Sequence, residues 1–316
     1  MIQLSRLANT AALFILGSNA ALAAAPFAKT QAPGFYRTML GDFEVTALSD
    51  GTVELPMEKL LHNKQSKTEK ALAEHFRKTP VETSINGFLI NTGNKLVLVD
   101  TGAGKLSGPT LGNLLISLKA AGYQAEQVDE IYLTHLHSDH VGGLGELNMP
   151  AFPNAVVRAD RRDADYWLSK ENLEKASGVT RGFFEVAQIS LAGYVSGGKF
   201  QPFDGSTELT PGVRATSSYG HTPGHTTYVV ESKGQKLVLV GDLLSNVETQ
   251  FDDPSINIDF DLDTKAALAQ RKAAFSEAAK KGYLFGAAHL PFPGLGHLRA
   301  KGKGYQFYPV TYSIPR

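Results

Sequence analysis

The chain has no cysteine among its 316 residues. This excludes disulfide staples, a thiolate nucleophile and any cysteine-ligated zinc site, so a bound metal has only nitrogen and oxygen donors. There is no surplus of charge either, with Lys+Arg and Asp+Glu at 31 each. Without a basic excess there is no electrostatic footprint for nucleic acid or an anionic membrane. No apolar run reaches the length of a bilayer span. Disorder is excluded by 42% hydrophobic and 20% charged residues, ordinary values for a globular protein. A core of about 290 residues holds without staples.

The first residues read as an export leader. Arg6 supplies the positive region, "TAALFILGSNAALA" the apolar region, and Ala21-Leu22-Ala23 a small-x-small cleavage site. The expected organisation is a signal peptide over 1–23, a flexible leader over 24–34 and one domain over 35–316, in a periplasmic or secreted protein with no membrane attachment once cleaved.

Alternation in "DFEVTALSDGTVEL" predicts two strands with a turn at Asp50-Gly51. A second hairpin turns at Gly93-Asn94, and "HTTYVVESKGQKLVLVGD" forms a third. Leu111, Leu114, Leu115 and Leu118 have helical spacing that stops at Gly122. "ADRRDADYWLSKENLEKA" reads as one amphipathic helix, and Asp263 caps another that ends at Gly282.

One echo organises the rest. "GNKLVLVDTG" (93–102) and "GQKLVLVGDLL" (234–244) are near copies, each delivering an aspartate after an apolar strand. Two β-rich halves with helices outside predict an α/β fold, a four-layer αββα sandwich.

Of nine histidines, three fall within six positions in "THLHSDHVGG". His135 and His137 alternate along an extended segment, so both rings can leave the strand end on one side. Asp139 and His140 follow where the chain turns. Two adjacent metals can share these four groups more easily than one. Buried imidazoles without a metal would lack partners and repel on protonation. More donors lie far off in sequence: His221 and His225 flank Pro223-Gly224, which forbids a regular helical turn, so only one need face a metal. Asp242 ends the second apolar strand, and His289 follows a short apolar segment.

The order H-x-H-x-D-H, a lone His, Gly-Asp and a last His resembles the metallo-β-lactamase superfamily. Within it, "LGDFEVTALSDGTVELP", "LVDTGAG", "HTPGHTTYVVES" and "FDDPS" resemble methyl parathion hydrolase and its lactonase-like relatives. The resemblance implies one metal held by His135, His137 and His221, a second by Asp139, His140 and His289, and Asp242 bridging them. It implies zinc first, with manganese, cobalt or iron acceptable to the same donors, and a homodimer. His225 and Asp100 then support ligands. His62 and His75 read as surface residues, and His297 as a turn residue.

Two metals lower the pKa of a bridging water and polarise the oxygen that gains charge. Asp242 and Asp139 are the carboxylates expected to act in catalysis. With no general acid in evidence, the expected substrate is a small, neutral, hydrophobic lactone or aryl ester, with organophosphate triesters as the alternative. Leu60, Ser107, Trp167, Phe183 and Phe260 are the expected pocket, a flat lactone entering between Trp167 and Phe183. Leu60, Ser107, Ser245, Ile258 and Phe260 depart from the phosphotriesterase pattern, which favours the lactone. A nuclease would need a basic surface, a glyoxalase-like thioesterase basic pocket residues, and a β-lactamase more often lacks the bridging aspartate. A periplasmic metal-storage protein would not need a shared carboxylate.

Overall fold

The computed structural model describes residues 25, 27–146 and 149–314. The leader sequence proposed over 1–23 lies outside them. Residues 25 and 27–32 are exposed and carry no regular structure beyond a bend. From Pro33 onward the chain forms one compact unit.

Two sheets make its centre. The first has six strands in the order 35–40, 43–55, 81–91, 96–99, 130–132 and 156–158. The second has seven, in the order 304–309, 295–301, 284–286, 235–239, 226–232, 213–217 and 207–210. Val45, Ala47, Phe88, Ile90, Val97, Val99 and Tyr132 from the first sheet meet Ala215, Tyr228, Val230, Leu237 and Leu239 from the second in one buried cluster. Outside the first sheet, Leu98, Ile131 and Val157 pack on Leu114 and Leu118 of helix Leu114–Ala120 and on Phe184, Ala187 and Leu191 of helix Gly178–Ser196. Outside the second, Val229, Val238 and Phe285 pack on Phe275 and Ala278 of helix Thr264–Lys281. That is the αββα order expected.

Strand 96–99 lies antiparallel to 81–91 and parallel to 130–132, while 235–239 lies antiparallel to 226–232 and parallel to 284–286. The two echoed segments therefore occupy equivalent places. Their faces are opposite, however. Leu96 and Leu98 point outward to the helices, whereas Leu237 and Leu239 point inward to the other sheet. The same four letters, Leu-Val-Leu-Val, are pleated the other way up.

Three local expectations need correction. Asp50-Gly51 is no turn. Phe43–Leu55 is one strand whose register to 81–91 shifts between Ser49 and Gly51, a bulge that turns the Asp50 carboxylate onto the amides of Ala103, Gly112 and Leu114 at 2.9–3.0 Å. The helix over 159–176 is two, Arg161–Trp167 and Lys170–Lys175, because Ser169 takes an extended conformation and caps the second through Asn172. His297 sits in strand Leu295–Lys301, not in a turn. The cap at Asp263 and the left-handed Gly282 are as expected.

Candidate metal centre

The parallel strands deliver the site. His135 follows strand Glu130–Tyr132, Asp100 follows Leu96–Val99, Asp242 follows Gln235–Leu239 and His289 follows Leu284–Gly286. All four stand beyond the carboxyl ends of their strands, where open α/β sheets place ligands. From His135 the chain runs extended to His137, which starts the single turn Ser138–Val141 carrying Asp139 and His140.

These residues converge. Donor atoms of His135, His137 and His221 lie within 4.8 Å of one another, as do those of His135, His140 and Asp242, and those of Asp139, His140 and His289. Asp242 Oδ2 is 3.4 Å from His221 Nε2 and 3.0 Å from His289 Nε2, and its Oδ1 is 3.2 Å from His140 Nε2. Asp139 Oδ2 lies 3.5 Å from His289 Nε2 and 3.6 Å from His140 Nε2. The histidines are buried, while Asp139 is part-exposed.

Buried as they are, His135 Nε2, His140 Nε2 and Asp242 Oδ1 have no hydrogen-bond partner. Orphaned donor atoms aimed at one another are costly unless something sits among them. Burial, then the neighbouring rings, drives His135 and His137 well below the usual histidine range. They are thereby held in the neutral, metal-binding form. Burial opposes a charge on His289 too, but Asp242 and Asp139 outweigh it and hold that ring at about 9. A nitrogen-and-oxygen set of this kind fits divalent cations.

Behind the donors stands a second layer. His140 Nδ1 is 2.8 Å from Asp100, which also accepts from the backbone and hydroxyl of Thr134. His221 Nδ1 is 2.9 Å from Asp261, and His289 Nδ1 is 3.0 Å from the Ser84 carbonyl. With Nδ1–H donated backward, Nε2 of each ring is free to point forward. His225 takes no place in the cluster. Its Nε2 accepts from the Asp242 amide at 3.0 Å and its Nδ1 meets Ser218 at 2.9 Å. Burial, followed by the charge on His221, lowers it to about 3, so it stays neutral. Asp100 and His225 were expected in such roles. Asp261, Arg271 and Asp163 were not. Asp163 accepts from the amides of Leu136 and Gly224 at 2.9 and 2.5 Å, tying the two histidine loops together. Its one sequence feature is an acidic residue in the first turn of helix Arg161–Trp167, which any surface helix can carry.

The expected pocket residues separate. Leu60, Trp167, Phe183 and Phe260 line a cavity of 250 Å³ with His137 in its wall. Phe183 stacks on His137 at 4.3 Å, and Trp167 meets the same ring edge-on at 5.0 Å. Trp167 and Phe183 do not bracket a gap, since their rings are in edge contact at 6.2 Å and Trp167 is fully buried beneath. Ser107 lies exposed in the turn Gly104–Ser107, outside the lining. His62 is exposed and pairs with Asp259 at 2.8 Å, and His75 and His297 are exposed away from the cluster.

A two-sheet αββα sandwich with a histidine–aspartate cluster at the strand ends defines a class of metal-binding folds. Residues 80–289 match the model of the metallo-beta-lactamase superfamily, and the chain belongs to that superfamily. Its similarity to the crystal structure of AbOPH, a hydrolase in the beta lactamase superfamily, covers 90% of this chain and all of that one, at 37% identity and a TM-score of 0.85. AidC, a dizinc quorum-quenching lactonase, is 27% identical over 89% of this chain and 99% of its own, with a TM-score of 0.79. The N-acyl homoserine lactonase of Bacillus cereus is 27% identical over 192 residues, 61% of this chain and 64% of that protein. That of Bacillus thuringiensis is 26% identical over 43% of this chain and 46% of that protein. The chain thus spans less than two thirds of these curated relatives.

Proposed function

We propose that the protein is a binuclear metal-dependent hydrolase of a neutral lactone or aryl ester. The carrying observation is the pair of donor groups joined at Asp242, one with His135, His137 and His221, the other with Asp139, His140 and His289. When bound, two ions, zinc in this reading, would supply a hydroxide held between them and polarise the carbonyl under attack. The chain's own part is placement. Asp242 sits among four imidazoles, and Asp139 is the carboxylate of the cluster that reaches solvent, able to hold or move a proton. Phe183 and Phe260, edge-on to each other beside His137, give the cavity an apolar wall against which an acyl or aryl group lies.

The lactonases among its relatives support this substrate class. Phosphotriester hydrolysis of the methyl parathion type is the second reading, and it ranks lower because Phe183 and Phe260 are in edge contact at 5.8 Å with Leu60 beside them. A tetrahedral phosphorus centre needs width there. The test is a panel on metal-loaded protein. An aryl lactone should exceed methyl parathion in kcat/KM by at least about tenfold, roughly 1.4 kcal/mol of transition-state binding, and Phe260→Ala should narrow the gap. Methyl parathion as the better substrate would reverse the order. The same reading includes export behind a cleaved leader and a homodimer, which sedimentation of the mature protein would test.

A further inference from the structure

One short helix holds the first donor triad from behind. Helix Arg161–Trp167 is fixed at its start by Asp160, which caps the Arg162 amide at 2.9 Å. The same carboxylate accepts from the Tyr219 hydroxyl at 2.9 Å and the Gly205 amide at 3.2 Å. Asp163 and Trp167, four residues apart, share one face of this helix, and both are fully buried. Trp167 meets the His137 ring edge-on at 5.0 Å. Asp163 turns one oxygen to the Leu136 amide, between His135 and His137, and the other to the Gly224 amide, three residues after His221.

The donors of this triad lie on two loops, His137 and His221 being 84 residues apart. Each loop is drawn to the same carboxylate, so the distance between them follows from its two oxygens. The approach leaves no slack. A methyl at Gly224 would lie 2.5 Å from the Asp163 amide nitrogen and 3.0 Å from its Oδ1. The second triad is held by other groups, His140 by Asp100 and His289 by the Ser84 carbonyl.

Resting on the binuclear reading above, we propose that Asp163 is a positioning residue for one metal alone. It sets the spacing between the His135–His137 loop and His221, and so governs the affinity for the ion those three share. The site of Asp139, His140 and His289 fills without it. A carboxylate is needed because both of its oxygens accept. An asparagine of the same shape offers an acceptor to one loop and an N–H to the other, and two facing donors push that loop away.

Zinc alone is the probe, in chelator competition. Wild-type protein should hold two equivalents. Asp163→Asn should hold one as the wild type does and release the other about 10–100-fold more readily. Removing single donors identifies which. In His289→Ala, adding Asp163→Asn should weaken the remaining equivalent by about the same factor. In His221→Ala it should change the remaining one by less than about twofold. Gly224→Ala presses on the same contact from the opposite side, should repeat the pattern, and serves in place of Asp163→Asn where that variant does not fold. Equal weakening of both equivalents, the mark of a general loss of stability, would overturn the proposal, and so would two unaltered equivalents. A wild-type protein holding a single equivalent would refute the binuclear reading instead. Weakening of that one equivalent by Asp163→Asn would then still support the positioning role, and its retention would overturn it.

Discussion

Arg271 is fully buried in helix Thr264–Lys281. Its guanidinium donates to the Leu243 and Ile256 carbonyls at 2.8 Å each, to Asn257 at 3.2 Å and to Asp261 Oδ2 at 3.1 Å. Asp261 holds His221 through its other oxygen. One buried cation therefore fastens the loop after Asp242, the segment carrying Phe260 and the orientation of a donor histidine. Arg271→Met keeps the stem and deletes the charge. The Asp261 carboxylate is left buried without its partner, a loss of about 3–5 kcal/mol, and two carbonyls lose strong donors. At roughly 2–3 °C per kcal/mol for a domain of this size, Tm should fall by about 10 °C in calorimetry. His221 also loses the anchor of its anchor, so metal affinity by chelator competition should weaken by about 10–100-fold. Arg271→Met/Asp261→Leu should recover part of the stability, because no charge is stranded, and none of the affinity. A fall in Tm below about 3 °C with unaltered metal affinity would refute the reasoning.

Asp242→Ala should abolish both activity and retention of two metal equivalents in elemental analysis of protein purified without chelator, whereas His62→Ala should retain the metal. A plateau at one equivalent in fully active wild-type protein would sink the binuclear reading. At Gly143 a methyl would lie 2.0 Å from the Thr101 carbonyl oxygen, and the same Thr101 is bonded to the His140 carbonyl through its amide at 2.8 Å. Gly143→Ala should therefore cost at least about 2 kcal/mol in denaturant unfolding and lower metal retention with it. Intact mass of the exported protein should correspond to a start after Ala23, and a mature chain beginning at Met1 would make residues 1–23 part of the fold.

The architecture was legible where periodicity is local. Hairpins at 93–94 and 233–234, the capped helix 264–281 and the H-x-H-x-D-H run each announce themselves within a few residues. What escaped was set by distance. Nothing near Asp261 says that it will meet His221, 40 residues back, or Arg271, ten ahead. Carboxylates on exposed turns and carboxylates beneath a metal ligand look alike until the chain has folded. The bulge at Asp50-Gly51 borrowed the letters of a turn, because both need glycine at positive φ, here 132°. Helix Gly178–Ser196 went unread although Phe184, Ala187, Leu191 and Tyr194 repeat on one face; it carries Gly178, Gly182 and Gly193, which are poor helix formers.

The two Leu-Val-Leu-Val strands show what such letters leave open. A strand whose two faces are equally apolar loses little hydrophobic contact if it slips by one residue, although the slip turns every side chain over. The correct setting must come from its ends. At one end of 96–99, Lys95 pairs with Glu130 and the Leu96 amide binds Asp129 at 2.8 Å; at the other, Asp100 receives Thr134 and His140. In the second copy, Gly241 at φ 52° brings the Asp242 amide onto His225. The polar groups at the strand ends, those behind the donor cluster among them, thus act as index marks for threading the chain. Errors in that threading would appear during folding as compact molecules with an apolar core but no assembled cluster, distinguishable from the native state by their failure to gather a metal.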